Sequence, residues 1–288
     1  MPDDLRLTPE EDLQAALDAA PAGSTLRLGP GVWRQKAVLR TPGLTLIGAG
    51  AGQTRIVHDD YAQKLHADGR EYNTFRTFTL AVAADGVTMR DLSIENDALH
   101  PELKGQEVAL SVYGDDFLME NCALISTQDT LFLGPLPTDL CQRYVTLLPM
   151  ELRRDVPLRQ EFKDCLIAGT VDFIFGCGEA LFDACEIRSL ADARNIGYCA
   201  APAHALSQPR GFTFRRCRFT REPGVTDRSI YLARPWRDYG LAAFEDCAYD
   251  THIAPAGFDK WNDTDRDKTA RFYEKPLREG RVSWAKEG

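Results

Sequence analysis

The fold class this sequence predicts is all-β: a right-handed parallel β-helix, or solenoid, with an N-terminal capping helix. Three observations predict it. A six-residue pattern recurs six times along the 288-residue chain, with start-to-start spacings of 30, 43, 20, 32 and 30 residues. Helical periodicity almost disappears after the first twenty or so residues, and short β-type segments bounded by Gly and Pro replace it. Five of the eight cysteines occupy one position of the repeat. A segment that short buries its apolar face only against copies of itself, which is the physical basis of a stacked solenoid.

In chain order, Thr8-Pro9-Glu10-Glu11 reads as a helix start, with Thr as cap, Pro in the first turn and Glu three residues after the cap. Leu13, Ala16, Leu17 and Ala20 follow at helical spacing, and Pro21 with Gly23 ends the run, so the capping helix is expected over residues 8–20. It would cover the open end of the solenoid, where bare strand edges invite aggregation. Strands are expected at Thr25 to Leu28, Ala37 to Leu39 and Leu44 to Ile47. The hexads then begin at Met89, Met119, Phe162, Phe182, Phe214 and Phe244. Each reads large apolar, two polar or small residues, Cys or Leu, one variable residue, large apolar, with a bend expected near the polar pair. Fourth and sixth positions share a face by strand alternation. The spacing of 43 contains an insertion, expected over residues 134–159 on one coil; long excursions from solenoids usually line the binding face. The whole chain, residues 1–288, is read as one domain.

Composition narrows the partners. The net charge is −9 and the pI about 5.2, which speaks against a nucleic-acid partner. No window reaches the apolar length of a membrane-spanning helix. The first residues lack the basic and apolar regions of a signal peptide, so a cytoplasmic protein is expected, or a secreted one if a leader was removed. Cysteines stacked as small buried apolar residues, with free thiols, agree with a reducing compartment. His58, His66, His100, His204 and His252 show no metal-ligand spacing and are read as surface or loop residues. A monomer without metal or cofactor is expected.

The chemistry centres on Gly169-Thr170-Val171-Asp172-Phe173-Ile174-Phe175-Gly176, an apolar run that reads as a buried strand holding one carboxylate. A lone Asp there most often satisfies backbone amides, because an unpaired buried carboxylate costs several kcal/mol, roughly. Context argues for more. Asp129 lies 43 residues earlier, across the insertion, so the two can occupy neighbouring coils. Two carboxyls so placed cannot both ionise cheaply, and one stays protonated beside a charged partner. Arg234 offers a counter-ion for the charged member, Trp236 an aromatic face for a sugar ring, and Gln106 and Gln128 uncharged donors able to hold an oxyanion. Taken singly, each Gln is most often a solvent or ladder amide, and Arg-Pro-Trp can be a turn with a snorkelled Arg.

Together these stretches resemble the pectin methylesterases (pectinesterases) of carbohydrate esterase family 8. The resemblance rests on Gln128-Asp129-Thr130-Leu131, the stretch Gly169 to Gly176, Gly105-Gln106 with Val108-Ala109-Leu110, and Leu232-Ala233-Arg234-Pro235-Trp236. Thr74-Phe75-Arg76 and Gly280-Arg281-Val282-Ser283-Trp284 are weaker matches, in the family's order. The resemblance implies hydrolysis of methyl esters of galacturonan, polymer or oligogalacturonide, without a metal. It implies Asp172 as nucleophile, Asp129 as general acid and then base, Gln128 and Gln106 at the oxyanion, and Arg234 orienting Asp172. It implies Trp236, Phe175, Val171, Phe132 and Thr74 as substrate contacts.

Departures from the family pattern are Ala233 where Gly is usual, Phe132 where Tyr is common, and the doubled separation of the two aspartates. The early Gly31-Val32-Trp33-Arg34-Gln35 is read as structural. The insertion could narrow the groove toward short oligomers, and the net charge suggests a heavily esterified substrate. The alternatives are a β-helix lyase or hydrolase that cleaves the glycan chain, using acidic groups or calcium, and a non-catalytic carbohydrate-binding solenoid.

Overall fold

The structure is a computed structural model and describes residues 4–98 and 105–288. Met1 to Asp3 and His100, which entered the sequence reading, lie outside them. Among the described residues the strands form three parallel sheets of eleven, seven and eight strands, each sheet taking one strand from successive coils. The first sheet includes Met89, Met119, Phe162, Phe182, Phe214 and Phe244 in register, and the eight-stranded sheet includes the hexads' final residues. The parallel β-helix expected from the repeat is therefore the fold.

Each hexad is a corner between two sheets. Its third residue adopts positive φ in all six copies: Asp91, Asn121, Asp164, Ala184, Arg216 and Asp246 lie between 50° and 56°. The expected bend sits there, and it turns the first, fourth and sixth positions into one core. Phe162, Phe182, Phe214 and Phe244 stack with centroids 5.0, 4.6 and 4.9 Å apart. The repeat cysteines do more than fill space. Cys165, Cys185, Cys217 and Cys247 each donate to the carbonyl of the hexad's first residue one coil earlier, at 3.3 to 3.5 Å. All eight thiols are free. Burial pushes Cys122, Cys177 and Cys199 up to about 12, so they are inert as nucleophiles. Such thiols persist in either redox environment and do not report on compartment. No helix among the described residues is long and apolar enough to cross a membrane.

The capping helix forms, but over Leu13–Ala19, with Asp12 as its cap accepting from the Ala15 amide. Thr8 and Glu11 instead close a turn, with the Thr8 amide donating to the Glu11 carboxylate at 2.6 Å. Residues Asp4–Leu7, which the sequence reading assigned to no element, form an edge strand against Thr25–Leu28. Leu13 and Leu17 plug the core. The helix also satisfies a bare edge: the Gln14 amide both donates to the Val38 carbonyl at 3.1 Å and accepts from the Val38 N–H at 2.7 Å, as a neighbouring strand would. Gln35 locks the helix start, accepting from the Leu13 amide and donating to the Glu11 carbonyl, which makes the Gly31 to Gln35 stretch structural as read.

Two histidines depart from expectation. His204 and His252 are buried, at 1% and 0% exposure, rather than at the surface. His204 bridges coils, its Nε2 against the Gly178 carbonyl and its Nδ1 accepting from the Leu241 amide.

Candidate active site

The stretch Gly169 to Gly176 is two strands, Leu166–Gly169 and Val171–Gly176, in different sheets, with the corner at Thr170. It was expected as one. Both bracketing glycines are required by close approach. A Cβ on Gly169 would lie 2.3 Å from the Cβ of Phe173, and one on Gly176, at φ +129°, would lie 2.0 Å from the Leu133 carbonyl oxygen. Past the corner the chain is irregular: Asp172 has φ +51° and the pairing with the next coil shifts between Val171 and Ile174. Asp129 has φ +67°. Left-handed backbone at two aspartates, one two residues ahead of strand Leu131–Leu133 and the other second in its strand, breaks side-chain alternation and re-aims both carboxyls.

The two acids share one register position on neighbouring coils. Leu131 pairs with Ile174 and Phe132 with Phe175, and the Asp129 N–H donates to the Val171 carbonyl at 3.1 Å. The insertion thus lengthens the sequence gap without moving the acids off neighbouring rungs. Both are buried, at 8% and 7% exposure. Arg234 grips Asp172 with a fork, Nε to Oδ1 at 2.8 Å and Nη2 to Oδ2 at 2.6 Å. The guanidinium lies between two rings, 3.7 Å from the centroid of Tyr198 and 4.1 Å from that of Trp261. Planar stacking of this kind is open to Arg and not to Lys.

Burial raises both carboxyls. Asp129 goes well above the ordinary carboxylate range, because the charge on Asp172 adds to burial. For Asp172 the hydrogen bonds and charge of Arg234 oppose burial. The pair is therefore asymmetric: Asp129 is pushed further toward its protonated form, while Asp172 is the acid whose charge a guanidinium meets.

These groups open onto a recess of about 410 Å³ whose lining includes Thr74, Gln106, Gln128, Phe175, Trp236 and Trp261. That volume lies at the small end of the roughly 300–1,000 Å³ of small-molecule sites. Gln106 faces the recess, while its neighbour Glu107 is buried and accepts from the Thr127 hydroxyl at 2.6 Å. Trp236 meets Phe175 edge-on at 5.8 Å. Two expected contacts are not there. Phe132 is fully buried, packed against Phe75, Tyr113 and Phe175, because the inserted segment covers it. Val171, at 5% exposure, lies outside the recess lining, since the irregularity at Asp172 interrupts the alternation that would have exposed it.

Within the insertion, helix Thr138–Arg143 and the segments on either side of it lay Leu136, Leu140, Leu148 and Leu152 on the outer face of the seven-stranded sheet. Leu140, Arg143 and Tyr144 reach the recess wall. Arg237 ties the segment at one end through Asp139 at 3.0 Å, and Asn73 donates to the Tyr144 hydroxyl at 3.3 Å at the other. Trp261, Tyr198, Arg194, Arg143 and Tyr144 escaped the sequence reading; all except Tyr198 stand outside the strands, where no period marks them. Among the described residues, His58, Asp59 and Asp60 are the one group with clustered metal-type ligands, but Lys36 and Lys64 already meet both Asp60 oxygens at 2.5 and 2.8 Å.

The family model described as Pectinesterase matches residues 11–135 and 156–286. The chain belongs to the pectinesterase family. Pectinesterase 31 of Arabidopsis thaliana is 29% identical over 273 residues, covering 91% of this chain and 77% of that one. Pectin methylesterase PemA from Erwinia chrysanthemi has a similar structure, with a TM-score of 0.82 at 25% identity over 99% of this chain and 92% of that one. A pectin methylesterase solved in complex with hexasaccharide VII gives 0.80 at 26%, over 96% and 89%. As a pectinesterase the chain is a carboxylic ester hydrolase, which sets aside the chain-cleaving and purely binding alternatives. Residues 136–155, unmatched by the family model, are the recess-wall segment.

Proposed function

We propose that this pectinesterase hydrolyses methyl esters of galacturonan through Asp172 and Asp129, and that its recess favours short oligogalacturonides. The observation that carries the first part is the placement of the two aspartates on neighbouring rungs, beside the Leu131–Ile174 pair and joined by the Asp129 N–H to the Val171 carbonyl, with Arg234 bidentate on one of them only. Asp172 attacks the ester carbonyl carbon, and the resulting oxyanion takes N–H donors from Gln128 and Gln106. Collapse breaks the bond to methoxide oxygen, which takes the proton of Asp129 and leaves as methanol. The ionised Asp129 then removes a proton from water, whose oxygen attacks the acyl-enzyme and frees Asp172. Trp236 and Trp261 offer faces to the sugar rings, with Thr74 a further contact.

The second part rests on the inserted wall. The recess is small, and it includes Arg143 and Arg237, of which Arg237 also lies over the Trp236 ring at 4.7 Å. A net charge of −9 suggests an uncharged, heavily esterified substrate, but charge summed over the surface does not describe this recess. Two guanidinium groups there suit free carboxylates on the sugars flanking the ester.

Methanol release from methylated oligogalacturonides and from long pectin tests both parts. Asp172→Asn should lower release by roughly three orders of magnitude or more, with the chain length of the product unchanged. Equal rates per ester on long and short substrates would remove the size preference while leaving the chemistry in place.

A further inference from the structure

The loop between strands Glu186–Ser189 and Gly197–Pro202 carries Arg194, which is not among the residues lining the recess. Its guanidinium is clamped by Asp192, Nε to Oδ1 at 2.7 Å and Nη2 to Oδ2 at 2.5 Å. The Asp192 carboxylate also accepts the backbone N–H of Arg194 at 2.7 Å. One corner of the fork remains, and Nη1 donates to the side-chain oxygen of Gln128 at 3.1 Å. Nη2 also approaches the Thr170 hydroxyl, at 3.5 Å, at the corner just before Asp172.

This contact has one allowed sense. A guanidinium carries donors only, so the Gln128 amide must turn its oxygen toward Arg194 and its NH₂ group away. The Gln128 side chain also lies close enough to the Asp129 carboxyl to lower its proton affinity. A free glutamine beside a carboxylic acid could present either end of its amide, since a protonated acid both donates and accepts. Only one of those senses offers N–H to a developing oxyanion.

We propose that Arg194 is a positioning residue for ester hydrolysis: clamped by Asp192, it fixes the Gln128 amide with its N–H groups toward the reacting carbonyl oxygen. The proposal rests on the reading of Gln128 as an oxyanion donor. It assigns a function to a loop that neither the repeat nor the strand pattern explains. The same guanidinium lies close enough to lower the proton affinity of both Asp129 and Asp172.

The test is a double-mutant cycle on methanol release from a methylated oligogalacturonide, with kcat, KM and pH profiles for Arg194→Ala, Gln128→Ala and the double variant. Arg194→Ala should lower kcat by about tenfold or more and leave KM within about twofold. Losing the cation raises both carboxyls, so both limbs of the bell-shaped profile should move to higher pH. In the Gln128→Ala background, itself down by about 10² or more, Arg194→Ala should cost nothing further in kcat. Equal losses in both backgrounds, or wild-type kcat in Arg194→Ala, overturn the proposal. A silent Gln128→Ala beside an inactive Asp172→Asn overturns it too, while leaving the aspartate chemistry standing. An active Asp172→Asn would instead strike the functional reading itself. If Arg194→Ala does not fold, Arg194→Lys carries the same cycle, because a single ammonium cannot hold Asp192 and Gln128 together in the geometry of the fork.

Discussion

Arg234 meets one of the two buried acids and not the other, and it does so with geometry as much as charge. Its fork meets both Asp172 oxygens, and its plane fills the space between Tyr198 and Trp261. Arg234→Lys keeps the positive charge and loses both features, so the Asp172 carboxyl should rise further above its ordinary range. The proposed mechanism needs that carboxyl ionised, so the acid limb of kcat/KM should move to higher pH, by about one unit or more. A profile measured from pH 4 to 9 reads this, and an acid limb unmoved by the substitution would show that the fork does not set the charge of Asp172. The acids and the arginine were legible in sequence because each sits inside a short, specific stretch. Trp261 was not, since a tryptophan at φ +70° on a loop follows from no propensity or period. Phe132 was misplaced for a related reason: strand alternation puts it on the outer face correctly, but only the folded insertion shows that this face is covered.

The hexad corner is the unit repeated through the solenoid, and its third position is where backbone strain collects. Four of its six residues are Asp or Asn, which tolerate left-handed backbone, and Asn121 further bonds Asp91 one coil earlier at 2.5 Å. Ala184 and Arg216 hold the same φ without that tolerance. Arg216 recovers something through its ion pair with Asp183, whereas Ala184 is exposed and touches no such partner. Ala184→Asn should therefore stabilise the fold by up to about 1 kcal/mol, raising the melting temperature by roughly 2–4 °C. A thermal scan that shows no rise would mean the corner carries no such strain. The repeat was readable because every coil needs the same buried positions, so the signal is written six times. The start of the capping helix is written once, and there two caps compete: Thr8 with Glu11 satisfies the sequence rule, but Asp12 wins because Gln35 from a neighbouring coil holds the Leu13 amide at 2.7 Å. That tertiary contact has no trace in the local sequence.

Across the whole molecule, stacking coils traps titratable groups that a less regular fold would leave wet, and this sets how stability follows pH. His204 is held as the neutral ring with its proton on Nε2, because Nδ1 accepts the Leu241 amide and Nε2 meets the Gly178 carbonyl. Burial pushes its pKa down to about 4, against about 6.5 for a solvated histidine. The unfolded chain therefore takes up a proton first, and the stability this group contributes is present above about pH 6.5 and lost as pH falls toward 4, on the order of 3 kcal/mol in all. Glu274 behaves as a second step. Burial alone would raise it, but the Arg281 fork at 2.7 and 2.8 Å holds it below the ordinary carboxylate value, so its contribution is present above that value and lost in stronger acid. Urea unfolding of the wild type should show a midpoint that falls between pH 7 and 4.5. In His204→Asn, which is less stable at pH 7 through the lost bridge between coils, the fall over the same interval should be smaller. Parallel curves for the two proteins would mean that acid acts elsewhere, and the sequence offers no way to know this in advance, since His204 became a buried bridge only when Gly178 and Leu241 were brought to either side of it.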